Sequence, residues 1–283
     1  MRKRTVCNKG MGWIREYPSI KDYTVDYKKS FQLVGKNKES DRIDLRHYCS
    51  SVDHQDVTQS CTAHAASGLI EYWQNKNKKK SIHPSRLFIY KVSRSLAGIE
   101  GDNGSYLRST AQALVLFGAP PEEYYPFIPE KIDDEPSSFV YALAQNYQST
   151  VYYRLDSLFV SGENLLTQIK IQLSNEVPCM FGFSVYSGIE YVGSSGLIPF
   201  PRDTEAFCGG HAVLAVGYDN EKNAILIKNS WGRDWGCEGY GWLPYDYVLH
   251  GLTADWWCIT NNEWVDLDKF ALINFSNKGE VIV

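Results

Sequence analysis

The chain has no apolar run approaching the ~20 residues that a transmembrane helix needs. Its start, MRKRTVCNKGMGWIREYP, is basic but lacks the apolar core of a secretory signal. The expectation is therefore a chain made in the cytosol and acting away from membranes, with export by a route that needs no such signal left open. No CxxC pair and no Cys/His cluster has zinc-site spacing, and neither a metal nor a cofactor is expected. A basic excess is also lacking: the net charge is −4, which argues against a nucleic-acid partner. Internal repeats and low-complexity tracts are absent as well.

What is present is enough for one large domain or two lobes: 283 residues, 43% hydrophobic and 22% charged. The 8 Trp and 19 Tyr suit well-packed lobes or a cleft lined by rings. Charge is unevenly placed. Residues 1–43 hold 11 Lys/Arg against 5 Asp/Glu (+6), and residues 44–283 hold 18 against 28 (−10). A basic leader therefore precedes an acidic body, and the two should attract. The seven cysteines fit one free thiol with three disulfides, or seven thiols in a reducing compartment.

Residues 1–43 show no sustained period and read as an extended leader dotted with rings, among them Trp13, Tyr17 and Tyr23. From Cys61 the apolar positions Ala65, Ala66, Leu69, Ile70 and Trp73 follow helical spacing, with Ser60 as N-cap and an end near Gln74. PSRLFIYKVSRSLAG and SYLRSTAQALVLFG read as helices, the second closed by Gly118. SSFVYALAQNY and ENLLTQIKIQLSNE are further helix candidates. VPCMFGFSVY, HAVLAVGYD, AILIKNSW and DWWCIT read as strands. A helical half thus comes first and a strand-rich half second.

In VTQSCTAHAA, Cys61 stands where polar turn residues meet the helix. A buried structural thiol is the ordinary reading. The strand-rich half supplies the other: in GGHAVLAVGYDNEKNAILIKNSWG two apolar runs flank DNEKN as a hairpin. Centred on Asn220, the hairpin has an index sum of 440 and places His211 opposite Asn229. A Cys in the first turn of a helix feels the positive helix end. A His beside it stabilises thiolate and relays protons, and an Asn fixes that His without adding charge. Trp231 would screen the His–Asn bond from water.

These stretches, with IDLRHYCSSVDHQ and Asp102–Phe127, resemble the papain family of cysteine peptidases from about Asp44 onward. The SCTAHA version is similar to bacterial members, and GGHA to cathepsin B. The resemblance implies an α+β, two-lobed papain-like fold: a leader at 1–43, a helical lobe at 44–150, and a β-barrel-like lobe at 151–283, with the site in the cleft between them. It implies Cys61 as nucleophile, His211 as base and then acid, Asn229 as its orienter, and Gln55 as oxyanion donor. Asn103, Gly104 and Ser105 stand where the family pairs with substrate backbone, and Gly210 and Trp231 also border the cleft. Glu263, aligned through Cys258, falls at the base of the second specificity pocket, where a solvated surface acid is the plainer reading.

Departures are specific. The usual Cys-Gly-Ser-Cys-Trp is here Thr58-Gln59-Ser60-Cys61-Thr62, and the partner position of the missing cysteine is Asp102. Mostly free thiols follow, with a Cys208–Cys258 bridge as the one the resemblance retains. No paired-His insertion of the cathepsin B kind is present, which favours an endopeptidase; the expected substrates are peptides or proteins, and a monomer is expected. Family relatives carry pro-segments that cross the cleft backwards. The leader is accordingly expected to be an intramolecular inhibitor, with a structural strap or a disordered tail as alternatives. Two other classes stay in view: a binding protein on a dead peptidase fold, and an acyl-transfer enzyme of transglutaminase type.

Overall fold

The computed structural model describes residues 9–25, 40–77, 82–149, 151–260 and 275–276. Helix α1 (Cys61–Lys76) is followed by α2 (Arg86–Ala97), α3 (Leu107–Leu116) and α4 (Ser138–Ala144), which make up the helical lobe. Helix α1 is buried from Cys61 through Gln74. Small residues at Ala63, Ala65, Ala66, Ser67 and Gly68 let it lie on the sheet, and a helix covered on all sides needs no polar face. Ser60 occupies the N-cap position, but its side chain caps no backbone N–H; its hydroxyl meets Thr58 and the His64 ring instead. Gly98 ends α2 in the left-handed conformation.

The strands are β1 (Thr24–Val25), β2 (Arg42–Asp44), β3 (Val151–Arg154), β4 (Cys179–Tyr186), β5 (Phe207–Asp219), β6 (Ala224–Lys228), β7 (Tyr240–Pro244), β8 (Thr253–Thr260) and β9 (Phe275–Ser276). Helix α5 (Gly162–Ser174) packs on this sheet, and α6 (Asp246–Leu249) is a short turn. The order is β7-β6-β5-β4-β8-β3-β1-β9, with β2 added to β5. Among the described residues the two ends of this path do not pair, so the expected barrel-like closure is replaced by an open, mostly antiparallel sheet. Its core is aromatic and aliphatic: Phe181 stacks on Trp256 with centroids 3.8 Å apart, and Trp257, Tyr153 and Ile259 are buried beside them.

The hairpin between β5 and β6 differs from the expected register. The index sum is 442 near the site (Leu214↔Lys228) and 443 near the loop (Asp219↔Ala224), with an irregularity between Ala215 and Gly217. The turn is centred beyond Asn220, and Asn223 takes a left-handed φ of 49°. An offset of two keeps side chains on one face, so the expected pair survives as a diagonal neighbour.

Candidate active site

Helix α1 and the β5–β6 hairpin bring the expected residues together. Cys61 opens α1 and is fully buried, as is His211 on β5. His211 Nε2 lies 2.7 Å from Asn229 Oδ1, just past the end of β6. The Trp231 indole stacks on the imidazole at 4.4 Å and 24°, shielding that bond. Gln55 is held to the β-lobe: its N–H donates to the Ser230 carbonyl at 2.9 Å, and its Oε1 accepts from the Ser230 hydroxyl at 2.6 Å. Its Nε2 is thereby aimed along the start of α1, where it donates to Thr58 O at 2.8 Å.

The cleft is filled by residues 10–16 of the same chain. Gln55 Nε2 also donates to the Gly10 carbonyl at 3.3 Å, and Gln59 Oε1 accepts from Met11 N–H at 3.0 Å. Trp13 forms a parallel bridge with Ser105: Ser105 N–H donates to Gly12 O at 2.9 Å, and Ile14 N–H to Ser105 O at 3.1 Å. Trp13 N–H donates to Gly210 O at 3.0 Å. A Cβ on Gly12 would collide with the Gln59 carbonyl, so this passage admits only glycine. The Trp13 indole occupies the space that a side chain at Gly182 would take, and its Nε1 donates to Asp255 Oδ2 at 2.9 Å.

Asp255 is 1% exposed, takes a left-handed φ of 58°, and accepts the Glu16 N–H at 2.9 Å on the same oxygen. Its other oxygen lies 2.8 Å from the buried Arg154 guanidinium. Burial pushes its carboxyl up to about 6 despite that cation. Arg108 pairs with Glu16 and, at 2.8 Å, with Asp22. The leader is thus held, among the described residues, by its own acids on the body's arginines. That is the reverse of the attraction expected from the net charges, because local pairs rather than totals set the contacts.

With the leader seated, the site is electrically quiet. Burial pushes the Cys61 thiol up to about 11, although the N–H groups of Ala212, Gly12, Thr62 and Cys61 itself point at the sulfur and oppose this. Burial likewise holds His211 down to about 4, partly offset by Asn229. His211 Nδ1 has no hydrogen-bond partner, so no bond joins it to Cys61. Both groups are neutral at pH 7.

Other expectations divide. Ser105 and Gly210 meet the leader, and Gly104 N–H donates to the Tyr90 hydroxyl at 3.1 Å beneath it. Asn103 instead donates to Glu100 O at 2.7 Å in an exposed turn. Glu263 lies outside the described residues, and the carboxylate in the Trp13 pocket is Asp255. The Cys208–Cys258 bridge is not formed: Cys258 carries a free thiol 3.0 Å from that of Cys179, on the neighbouring strand β4, while Cys208 is disulfide-bonded elsewhere. Asp255, Arg108 and Arg154 were not identified from the sequence. The one signal was an acid in the otherwise apolar run TADWWCIT.

Residues 39–252 match the family model described as papain family cysteine protease. An uncharacterized peptidase C1-like protein of Acanthamoeba polyphaga mimivirus is 31% identical over 271 residues, covering 89% of this chain and 87% of that protein. Bovine cathepsin S is 27% identical; the match covers 68% of this chain and 55% of cathepsin S. Among solved structures, xylellain, a cysteine protease from the bacterium Xylella fastidiosa, superposes with a TM-score of 0.79 at 29% identity. That superposition covers 92% of this chain and 99% of xylellain. With the cysteine, histidine, asparagine and glutamine gathered in one cleft, the chain belongs to the papain family of cysteine proteases.

Proposed function

We propose that this protease hydrolyses peptide bonds through a Cys61–His211 pair and that its own leader keeps the pair idle. In the open cleft, Cys61 thiolate attacks the carbonyl carbon while Gln55 Nε2 and the Cys61 N–H receive the oxyanion. His211, oriented by Asn229, gives its proton to the leaving amine and leaves a thioester. It then takes a proton from water, which attacks the thioester and frees Cys61. The lack of a paired-His insertion favours endopeptidase action on extended chains.

The observation that carries the inhibitory reading is the parallel bridge between Trp13 and Ser105, with the Gly10 carbonyl on Gln55. The leader holds the substrate strand's place while running in the direction that the pro-segments of this family take. The test compares the full chain with one beginning at Ser19, using a fluorogenic peptide and a cysteine-directed epoxide. Labelling of Cys61 and hydrolysis in the short chain, with little of either in the full chain, is the expected result. Equal activity in both would discard the inhibitory leader. An absence of labelling in a folded short chain would favour the binding-protein reading, and amine incorporation exceeding hydrolysis would favour acyl transfer.

A further inference from the structure

The two positions where family relatives usually carry a bridged cysteine pair are Thr58 and Asp102 here, so that covalent tie is missing beside the nucleophile. A carboxylate stands there instead. Asp102 Oδ1 accepts the Gln59 N–H at 2.9 Å and the Tyr90 hydroxyl at 2.7 Å. The Tyr90 hydroxyl in turn accepts the Gly104 N–H at 3.1 Å. Gln59 lies two residues before Cys61, and Gly104 directly precedes Ser105, whose backbone pairs with the leader. One carboxylate oxygen and one hydroxyl thus span from the wall that carries the nucleophile to the wall that pairs with an extended chain.

Both ends of this link are held by the body of the protein, without the leader. Tyr90, on α2, is fully buried, and the buried Arg94 guanidinium lies over its ring, 4.4 Å from the centroid. Arg94 also donates to the carbonyl of Gly101, the residue before Asp102, and pairs with Asp133 at 2.7 Å. Asn103 closes the same turn on the Glu100 carbonyl. Burial and the adjacent Asp102 carboxylate push the Tyr90 phenol up, so it stays protonated and donates. Hydrogen bonds to a carboxylate are roughly twice as strong as neutral ones, which suits a tie that replaces a covalent bond.

We infer that Asp102 is a positioning residue for hydrolysis, a strut that sets the spacing of the two cleft walls. The inference rests on the reading of the cleft as a peptidase site and adds what holds that site in register. Through Gln59 the strut acts on the turn that delivers the oxyanion donors: Thr58, the preceding residue, accepts Gln55 Nε2 at 2.8 Å, and Cys61 follows two residues on. Through Tyr90 it acts on Gly104 and Ser105, where substrate backbone would take the leader's place. Without Asp102, the Gln59 N–H and the Tyr90 hydroxyl both lose their acceptor, and the two walls are free to drift apart. A misplacement of ~1 Å at the reacting atoms costs up to about 10²-fold in rate. The strut contains no sulfur, so a thiol reductant that would open a disulfide at this place leaves it intact.

The test uses the full chain carrying Trp13→Ala, which removes the leader's anchor, with a fluorogenic peptide as substrate. Asp102→Ala in this parent should lower kcat by about 10–100-fold. Asp102→Asn should return to within about threefold of the parent, because one amide oxygen can accept both bonds. Tyr90→Phe keeps the Gln59 bond and drops the one to Gly104, so it should raise KM by about tenfold and move kcat less. Parental kcat in Asp102→Ala would overturn the strut, as would a loss no larger than its folded fraction, read from urea midpoints, accounts for. Amide hydrogen exchange in the chain with Trp13 intact supplies a readout without turnover. There Asp102→Ala should speed exchange at Gln59 and Gly104 by about tenfold, and unchanged exchange at both would also overturn the strut. A Trp13→Ala parent that neither hydrolyses the peptide nor reacts with the epoxide would instead overturn the peptidase reading, and with it the catalytic purpose of the strut, whatever the exchange rates.

Discussion

Cys61 and His211 are both fully buried, and burial favours the neutral form of each. The thiol held at about 11 has a thiolate fraction of about 10⁻⁴ at pH 7. Alkylation of the full chain should therefore still be rising with pH at pH 10. In the chain beginning at Ser19, water and the ion pair return, and the profile should level off several pH units lower; superimposable profiles would mean that the leader does not set the thiol's state. Gln55 offers a second check at this scale. Gln55→Ala in the short chain should lower kcat by about 10²–10³-fold with little change in KM, the usual cost of one oxyanion donor. That these residues gather at one place was legible in the sequence because of their spacing: Gln55 six residues before Cys61, and Trp231 two after Asn229. Asp255 was not legible, since its importance comes from Trp13 and Arg154, which are 242 and 101 residues away in the chain.

At the scale of elements, the leader is a strap with one deep anchor and one ionic clamp. The anchor is Trp13, buried against Gly182 and hydrogen-bonded to Asp255. Trp13→Ala removes a large buried ring, and its loss should cost the docked state about 3–5 kcal/mol. Alkylation of Cys61 in the reduced chain should rise accordingly. The clamp is Arg108 with Glu16 and Asp22, the latter side chain 4% exposed. A double-mutant cycle on Asp22→Ala and Arg108→Ala, read by urea unfolding, should return a coupling of about 0.5–3 kcal/mol. A value near zero would reduce the clamp to an exposed surface pair. Helix α1 and strands β4 to β6 followed from apolar period and punctuation. The β5–β6 register did not, because the irregularity near Val216 and the left-handed Asn223 shift the turn without changing the apolar pattern.

The whole molecule carries a pH signature. Burial lowers His211 to about 4 and His64 to about 3, each from 6.5. A base depressed in the folded state contributes its full stability above its unfolded pKa, and loses it as pH falls toward the folded one. From pH 6.5 down to about 4, these two sites oppose folding with a slope of up to ~1.4 kcal/mol per pH unit each. His64→Leu should remove one proton's worth of that slope, whatever it does to stability at pH 7. Urea midpoints between pH 4 and 7 test this, and an unchanged slope would refute it. Groups shifted the other way, such as His83 beside Glu71, are common to both chains and cancel in the difference.

Strand β1 gives the leader two unequal parts. Thr24 pairs with Arg154 of β3 on one side and with Ser276 of β9 on the other, so these leader residues are structural members of the sheet. A peptide bond cut between Pro18 and Tyr23 would separate the part that fills the cleft and leave the sheet whole; loss of a piece that includes Val25 would withdraw a strand from between two others. A scission that clears the cleft without disturbing the sheet is therefore confined to a window of a few residues.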